Sequence, residues 1–151
     1  IPEIRTFDSF TEEVHFISDY LNELIKEGIE LRSVCLVTRT NELLKQYETA
    51  LKENGIKTYL IKRSVADDRK AEGLRLATMH RVKGLEFDVI IITSVNDGVV
   101  PLQSSLFGDS SSDLAEETDN LERALLYVAA TRAKKKVLLS CYGKPSKFLI
   151  E

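Results

Sequence analysis

Residues 74–93 read LRLATMHRVKGLEFDVIIIT, and this stretch decides the fold. Two apolar runs, 74–78 and 89–93, flank a polar crossing at 79–88. Both runs are short and bounded by polar residues, and the second is rich in β-branched side chains, so both are predicted to be buried strands. The crossing carries an imidazole, two cations, a glycine and a carboxylate, which is more polar chemistry than a plain connection needs. It therefore predicts a binding site beside two strands of a sheet.

Helices and strands alternate on both sides of this stretch. Ser9, with Glu12 three positions later, has the spacing of a capping box, and Gly28 is a natural helix end. Apolar residues recur at helical spacing between them, and the other helices are predicted from the same periodicity. The predicted elements are, in order, a helix from Ser9 to Gly28, a strand at 33–38, a helix at 41–53, a strand at 58–61, a charged surface connection at 62–73, the strands at 74–78 and 89–93, a turn at 96–101, a serine-rich stretch at 103–112 that is expected to be mobile, a helix at 113–131 and a strand at 136–141.

This alternation predicts the fold class. It favours an α/β protein with a mainly parallel sheet covered by helices on both faces, formed as a single domain over residues 1–151. In such sheets ligands collect at the carboxyl ends of the strands. Arg39 and Asn41 follow one predicted strand, while His80 and Arg81 follow another. If the two strands are parallel, one edge of the sheet carries a cation, an amide and an imidazole together.

The composition excludes some classes of protein. With 43% hydrophobic and 30% charged residues, the chain is globular rather than disordered. The formal net charge of −3 argues against a wholly basic nucleic-acid binder but allows a local basic groove. Cys35 and Cys141 lie in apolar runs, and no apolar run approaches the ~20 residues of a membrane span, so a cytoplasmic protein with reduced cysteines is expected. Because residue 1 is Ile1 rather than methionine, we expect a processed protein or an excised piece of a longer one.

The predicted helix at 113–131 leads into an arginine that needs a partner. At about 100° per residue, Leu121, Leu125 and Val128 form one apolar stripe, and Arg132 falls within roughly 20–40° of each of them. Arg123 lies near the opposite side and is expected to face solvent. An arginine on a buried stripe needs an anionic partner. An internal carboxylate or the terminal carbonyls of the helix would serve, and so would a phosphate, whose oxygens match the guanidinium fork.

The crossing itself leaves two interpretations open for each polar residue. Glu86 beside Lys83 suits a surface ion pair, or it accepts a hydrogen bond from a sugar hydroxyl, with Gly84 allowing close approach of the backbone. His80 has the chemistry of a catalytic base, but no serine or cysteine nucleophile is placed beside it by the sequence. A zinc site is not favoured, because the chain has 2 histidines and both cysteines lie in predicted strands. The phosphate-loop pattern GxxxxGK[ST] does not occur, so the chain binds no nucleotide triphosphate unaided.

Several segments together resemble one family. Residues 78–88, TMHRVKGLEFD, resemble motif V (TxHxxKGLEFD) of the superfamily 1, UvrD/Rep-like DNA helicases. Residues 96–101, NDGVVP, are similar to the turn that follows that motif, and residues 122–133, ERALLYVAATRA, resemble motif VI (ERRLLYVAxTRA). Upstream, residues 38–41, TRTN, resemble the RTN segment of the same domain. These segments occur in the family's order and extend over nearly the whole chain.

The resemblance implies a fold and a division of roles. In that family two RecA-like motor domains hold ATP between them and move along single-stranded DNA. The chain would be the C-terminal domain, a RecA-like (P-loop NTPase-like) three-layer sandwich, and its partner would be an N-terminal RecA-like domain that binds ATP and Mg²⁺ in the parent protein. Arg132 would be an arginine finger on the γ-phosphate, and Gly84 and Glu86 would contact the nucleotide. The residues implied to contact DNA are Arg39, Asn41, Thr78, His80 and Lys83; no metal ligand is implied.

Other functions remain open at this level. Larger family members insert a helical subdomain where this chain has only residues 62–73, so the resemblance predicts a compact member. The same fold would also suit a non-catalytic helicase-like module that makes protein or DNA contacts in a repair complex. A nuclease is less favoured, because the acidic residues at 109–122 are spread along a loop and a helix start rather than clustered.

Overall fold

Six parallel strands form one sheet in the order β1-β6-β5-β2-β4-β3. The structure is a computed structural model, and it describes residues 2–62, 70–102 and 112–150, with the side chains of the last range described from residue 116. The mainly parallel sheet expected from the sequence is therefore confirmed, because all five pairings between its strands are parallel. The strands are β1 (Glu3–Phe7), β2 (Val34–Thr38), β3 (Thr58–Leu60), β4 (Leu74–Thr78), β5 (Phe87–Ile92) and β6 (Ala133–Tyr142).

Helices cover both faces of the sheet. The helices are α1 (Phe10–Lys26), α2 (Asn41–Glu53) and α3 (Ser112–Ala130). On one face, α1 and α2 pack against alternate strand residues such as Leu36 and Ile91. On the other face, Val37 and Ile92 pack with Ala129 of α3 and with apolar residues of the crossing such as Val82. This arrangement is the predicted three-layer sandwich.

The helix starts follow from local capping. Ser9 accepts a hydrogen bond from the Glu12 amide at 3.2 Å, while the Glu12 carboxylate accepts one from the Asp8 amide at 3.2 Å. Thr40 caps α2 in the same way, since its hydroxyl accepts from the Leu43 amide at 3.2 Å. Each cap satisfies an amide that the first helical turn leaves unpaired. The predicted start of the first helix at Ser9 is confirmed.

Two strands differ from the sequence prediction. β1 was not predicted, because it is an edge strand whose middle residues are exposed and include Arg5. It is held instead by backbone pairing with β6, from Glu3 opposite Leu138 to Phe7 opposite Tyr142. β6 begins three residues earlier than the predicted strand, because its exposed lysines pair with β5 before the start of β1.

The predicted apolar stripe of α3 is wrong in its phase. Leu121 is 68% exposed, and Leu125 and Val128 are only half-buried, whereas Glu122 and Ala129 face the sheet. The helix turns inward along Glu122 because that carboxylate has an ion partner there. Arg132 lies in the turn after the helix end rather than on a helical stripe.

Other predictions have simpler outcomes. Arg123 is exposed as expected, and its guanidinium carbon lies 4.7 Å from the centre of the Phe148 ring. Cys35 and Cys141 are buried and form no disulfide with each other, and they lie on strands that β5 separates. Residues 103–111 of the serine-rich stretch, for which mobility was predicted, and residues 63–69 of the charged connection lie outside the described residues. Among the described helices, none has the length and apolar character needed to cross a membrane.

Candidate functional site

The carboxyl ends of β2 and β4 meet at one edge of the sheet. The two strands are parallel neighbours with Thr38 opposite Thr78, and the Met79 amide donates a hydrogen bond to the Thr38 carbonyl at 2.9 Å. The residues that follow these strands therefore share an edge, as the sequence predicted for a parallel pair. We call this edge, with Arg39, Asn41, Thr78 and His80, the carboxyl edge.

The side chains of the carboxyl edge differ in their accessibility. Asn41, the first residue of α2, and His80 are exposed. Thr78 is 9% exposed, and its hydroxyl accepts a hydrogen bond from the Arg81 amide at 3.3 Å, which fixes the turn into the crossing. Lys83 lies further along the crossing and is exposed. The carboxyl edge thus exposes the side chains of Asn41 and His80 to solvent, while the nearly buried Thr78 fixes the backbone turn through its hydroxyl.

Arg39 is held in an ion pair inside the protein. Its Nε lies 3.0 Å from Glu122 Oε1, and its Nη2 lies 2.9 Å from Glu122 Oε2. The two side chains are 15% and 10% exposed, so water screens the pair weakly. These bonds use Nε and Nη2 of Arg39, which leaves mainly Nη1 for any ligand at the edge.

The crossing carries the chain from the carboxyl edge to the opposite edge of the sheet. It starts in a turn in which the Val82 amide donates to the Thr78 carbonyl at 3.0 Å. Val82 is buried and Leu85 is half-buried in the same apolar cluster as Ala129 of α3. It ends at Phe87, where β5 begins. Because β5 has 6 residues at about 3.3 Å each, the two edges lie roughly 17 Å apart.

Glu86 lies on the amino edge, the edge where β5 and β6 begin. Its Oε2 is 3.9 Å from Nζ of Lys134, and the two side chains are 66% and 58% exposed. Such a pair is weak because water and salt screen it. The ion partner is therefore Lys134 and not Lys83, which the sequence suggested as one interpretation. Glu86 and Lys134 line a groove of about 310 Å³ with Arg32 and Leu85.

Gly84 has the backbone conformation that glycine favours. Its φ is +84°, and a Cβ placed there would meet no described atom within 4 Å. Open space therefore lies next to the backbone at this point of the crossing. A ligand can approach the chain closely there.

Arg132 lies beside Glu86 at the amino edge. Its carbonyl accepts a hydrogen bond from the Phe87 amide at 3.0 Å, and its own amide donates to the Ala129 carbonyl at 3.2 Å. The side chain is half-buried, and its Nε is buried without a hydrogen-bond partner among the described residues. A buried donor left unpaired costs about 1–3 kcal/mol, and this distinguishes Arg132 from Arg39, whose Nε is held by the Glu122 carboxylate.

The burial of Glu122 was not predicted from the sequence, where this residue was quoted only as part of a motif. The structure reveals its phase, because Glu122 lies seven positions before the fully buried Ala129 and therefore on the same helical face. A carboxylate at that position requires a cation, and Arg39 is the cation.

A buried carboxylate, Glu13, lies beneath the carboxyl ends of β5 and β6. It accepts hydrogen bonds from the Tyr47 hydroxyl, from the Ser140 hydroxyl at 2.8 Å and from the Ser94 amide at 3.3 Å. All of these donors are neutral, and burial raises the pKa of Glu13 above its ordinary value while the hydrogen bonds act against that rise. Burial also raises the pKa of Tyr47, with Glu13 adding to the effect. We call these residues the Glu13 cluster.

The sheet and its two helical layers define the class of protein. A six-stranded parallel sheet between helices, with exposed polar residues at its edges, has the RecA-like α/β fold. The family model described as the UvrD-like helicase C-terminal domain matches residues 2–66 and 61–144. The chain therefore belongs to the UvrD-like helicase C-terminal domain family.

Individual relatives agree with this assignment. The chain is 36% identical over 88 residues to the ATP-dependent DNA helicase UvrD2 of Mycobacterium tuberculosis, covering 52% of the chain and 12% of the relative. It is 32% identical over 130 residues to DNA helicase II of Rickettsia typhi, covering 82% of the chain and 18% of the relative. The chain thus spans less than a fifth of the length of these relatives.

A solved structure has the same fold. The C-terminal domain of a possible DNA helicase from Lactobacillus plantarum WCFS1 superposes with a TM-score of 0.71 at 22% identity. The superposition covers 98% of this chain and 78% of that one. At this level of identity the likeness concerns the fold alone.

Proposed function

We propose that the chain is the C-terminal motor domain of an ATP-dependent DNA helicase or translocase. It would supply an arginine finger and single-stranded DNA contacts to an ATP site that an N-terminal RecA-like domain of the same parent completes. The observation that carries the proposal is Arg132, whose buried Nε has no partner among the described residues and which lies beside Glu86 at the amino edge. Relatives named as ATP-dependent DNA helicases support it.

The amino edge suits the nucleotide. Arg132 would pair with the γ-phosphate, because a guanidinium fork matches phosphate oxygens and neutralises the charge that develops there. Glu86, which is held only by the exposed pair with Lys134, would accept from the ribose hydroxyls. The open space at Gly84 permits the close approach that both contacts require. We assign ATP and Mg²⁺ to the assembled parent protein and no metal ligand to this chain.

The carboxyl edge suits the nucleic acid. The exposed Asn41 and His80 would meet the DNA strand, with Thr78, Arg39 and Lys83 completing the set. The crossing joins this set to Glu86 as one packed segment, since Val82 and Leu85 fix it against the sheet. A shift at the nucleotide can therefore reach the DNA along a continuous piece of backbone. We place this activity in the cytoplasm, which suits two buried cysteines that form no disulfide.

The isolated chain is expected to hydrolyse no ATP. Its sequence contains no GxxxxGK[ST] pattern, and an arginine finger stabilises a transferring phosphoryl group that another domain must hold. The measurement is phosphate release by the purified chain with and without single-stranded DNA. Turnover that persists through a second purification step and is lost in R132A would contradict this division of labour.

Single-stranded DNA is expected to bind the isolated chain weakly and with a small salt dependence. Each phosphate contact on a single strand contributes about 0.7 to the slope of log K against log salt. Replacing Lys83 with alanine should therefore reduce the slope by about 0.7. Fluorescence anisotropy of a labelled oligonucleotide across a salt series measures it.

Lys26 provides the matched control for this experiment. It is exposed at the end of α1, where it pairs with Glu23. K26A removes the same charge away from the carboxyl edge and should leave the slope unchanged. Equal slopes for K83A and the unmodified chain would exclude Lys83 from the DNA contact.

A non-catalytic module that contacts proteins in a repair complex is the second candidate. One observation favours it: Leu121 and Tyr127 of α3 are 68% and 70% exposed, so the helix offers two large side chains that a protein partner could cover. Both candidates share the fold, so the parent sequence discriminates them. A phosphate loop upstream of this chain supports the motor, whereas its absence supports the module.

A further inference from the structure

The carboxylate of Glu122 holds together three segments of the chain. Its Oε2 pairs with Nη2 of Arg39 at 2.9 Å, just after β2. Its Oε1 accepts the Arg39 Nε at 3.0 Å and the Leu102 amide at 2.7 Å, the latter from the loop that follows β5. Glu122 itself belongs to α3. One side chain thus fixes the helix to the ends of two sheet strands.

This contact and Arg132 lie at opposite ends of one helical segment. From Glu122 to the helix end at Ala130 the helix rises roughly 12 Å, and Arg132 follows in the next turn. Ala129 is fully buried against the sheet, so this part of α3 moves with the face that it covers. A displacement of Arg132 is therefore carried toward Glu122, and from there to Arg39 at the carboxyl edge.

The ion pair is more than the packing of α3 requires. Burying two charges brings a desolvation penalty, and apolar residues of similar volume are often as stabilising in such places. Glu122 nevertheless lies on the inner face of α3 and pairs there with Arg39, while the residues of α3 packed in the neighbouring core cluster are apolar. The bidentate geometry fixes the direction of the Arg39 guanidinium, which an apolar pair would not do.

We propose that Glu122 is a positioning residue that couples the nucleotide edge to the DNA edge. It sets the orientation of Arg39 and transmits the position of α3, and hence of Arg132, to the carboxyl edge. The proposal rests on the proposed function as a motor domain. It adds a second route, through α3, to the route along the crossing.

The test uses E122Q in the full-length parent protein. Glutamine keeps the shape of the side chain but removes the charge that holds Arg39. We expect the ratio of DNA-stimulated to DNA-free ATP turnover to fall about tenfold, within the roughly 5- to 150-fold range of coupling between sites. The DNA concentration that gives half-maximal stimulation should rise. E117Q is the matched control, because Glu117 is exposed on the same helix, and it should leave the ratio unchanged.

Two more variants separate positioning from a purely structural role. E122D keeps the charge on a shorter side chain, so its ratio of DNA-stimulated to DNA-free turnover should lie between those of E122Q and the wild-type parent. R39Q/E122Q should lower the ratio no further than R39Q alone, because Glu122 acts through Arg39. The inference is overturned if E122Q keeps the wild-type ratio, or if it lowers both turnover rates equally in step with a loss of folded protein measured by circular dichroism. A wild-type parent without DNA-stimulated turnover would instead overturn the proposed function, and the inference with it.

Discussion

Replacing Arg132 with alanine in the full-length parent is expected to lower DNA-stimulated ATP turnover by about 10³–10⁵-fold. The buried Nε of Arg132 has no partner among the described residues, and the residue lies next to Glu86 at the amino edge. Its loss would leave the charge on the transferring phosphoryl group without a guanidinium. Nucleotide binding should stay nearly intact, because the other domain holds the phosphates. Steady-state phosphate release measures the first quantity, and titration with a fluorescent ATP analogue measures the second.

Two matched variants make this experiment specific. R132K keeps the positive charge but lacks the planar fork, so its turnover should fall between those of R132A and the unmodified parent. R123A removes an arginine nine positions earlier whose guanidinium stacks on Phe148, and it should retain DNA-stimulated turnover. Unchanged turnover in R132A, with ATP still bound, would show that Arg132 is not the finger. The arginine would then be a structural residue of the turn between α3 and β6.

The central stretch could be predicted because its information is local. All residues of β4 and nearly all residues of β5 are buried, and most of them are apolar. Such runs can be recognised as buried strands without knowledge of distant partners. The alternation of helices and strands predicted a mainly parallel sheet, and the structure shows that β2 and β4 are parallel neighbours in it. Because β2 and β4 are adjacent and parallel, Arg39 and His80, which follow them, lie at the same edge of the sheet. The resemblance of the motifs then supplied roles that periodicity alone left open.

The phase of α3 could not be predicted because it depends on a distant residue. Hydrophobicity placed Leu121 on the inner stripe and gave no sign that Glu122 faces inward, yet the structure has Leu121 exposed and Glu122 buried. The deciding interaction is the ion pair with Arg39, which lies 83 positions away in the chain. The pattern of apolar residues within the helix carries no information about that partner. The edge strand β1 was not predicted for a related reason, since it is held by backbone pairing with β6 rather than by the burial of apolar side chains.

The Glu13 cluster is likewise formed by residues that are far apart in the sequence, and it was not predicted. The second substitution with a large expected effect is in this cluster. Replacing Glu13 with alanine is expected to lower the free energy of unfolding by about 3 kcal/mol, because the Ser94 amide and the Ser140 hydroxyl would lose their acceptor in a buried site. That is a large share of the 5–15 kcal/mol by which domains are typically stable. E13Q should cost less, since its amide oxygen still accepts one of these bonds. Urea unfolding followed by circular dichroism measures both.

The pH dependence of unfolding separates the charge of Glu13 from its shape. Because burial raises the pKa of Glu13, the folded chain keeps a proton that the unfolded chain has released at pH values between the ordinary and the raised pKa. Its contribution to stability is therefore complete below the ordinary glutamate pKa and declines as pH rises through this window. E13Q cannot titrate and should lack that decline, whereas E23Q, at an exposed position of the same helix, should retain it. Identical pH profiles for E13Q and the unmodified chain would mean that Glu13 keeps an ordinary pKa. The donors around it would then offset the full cost of burying its charge.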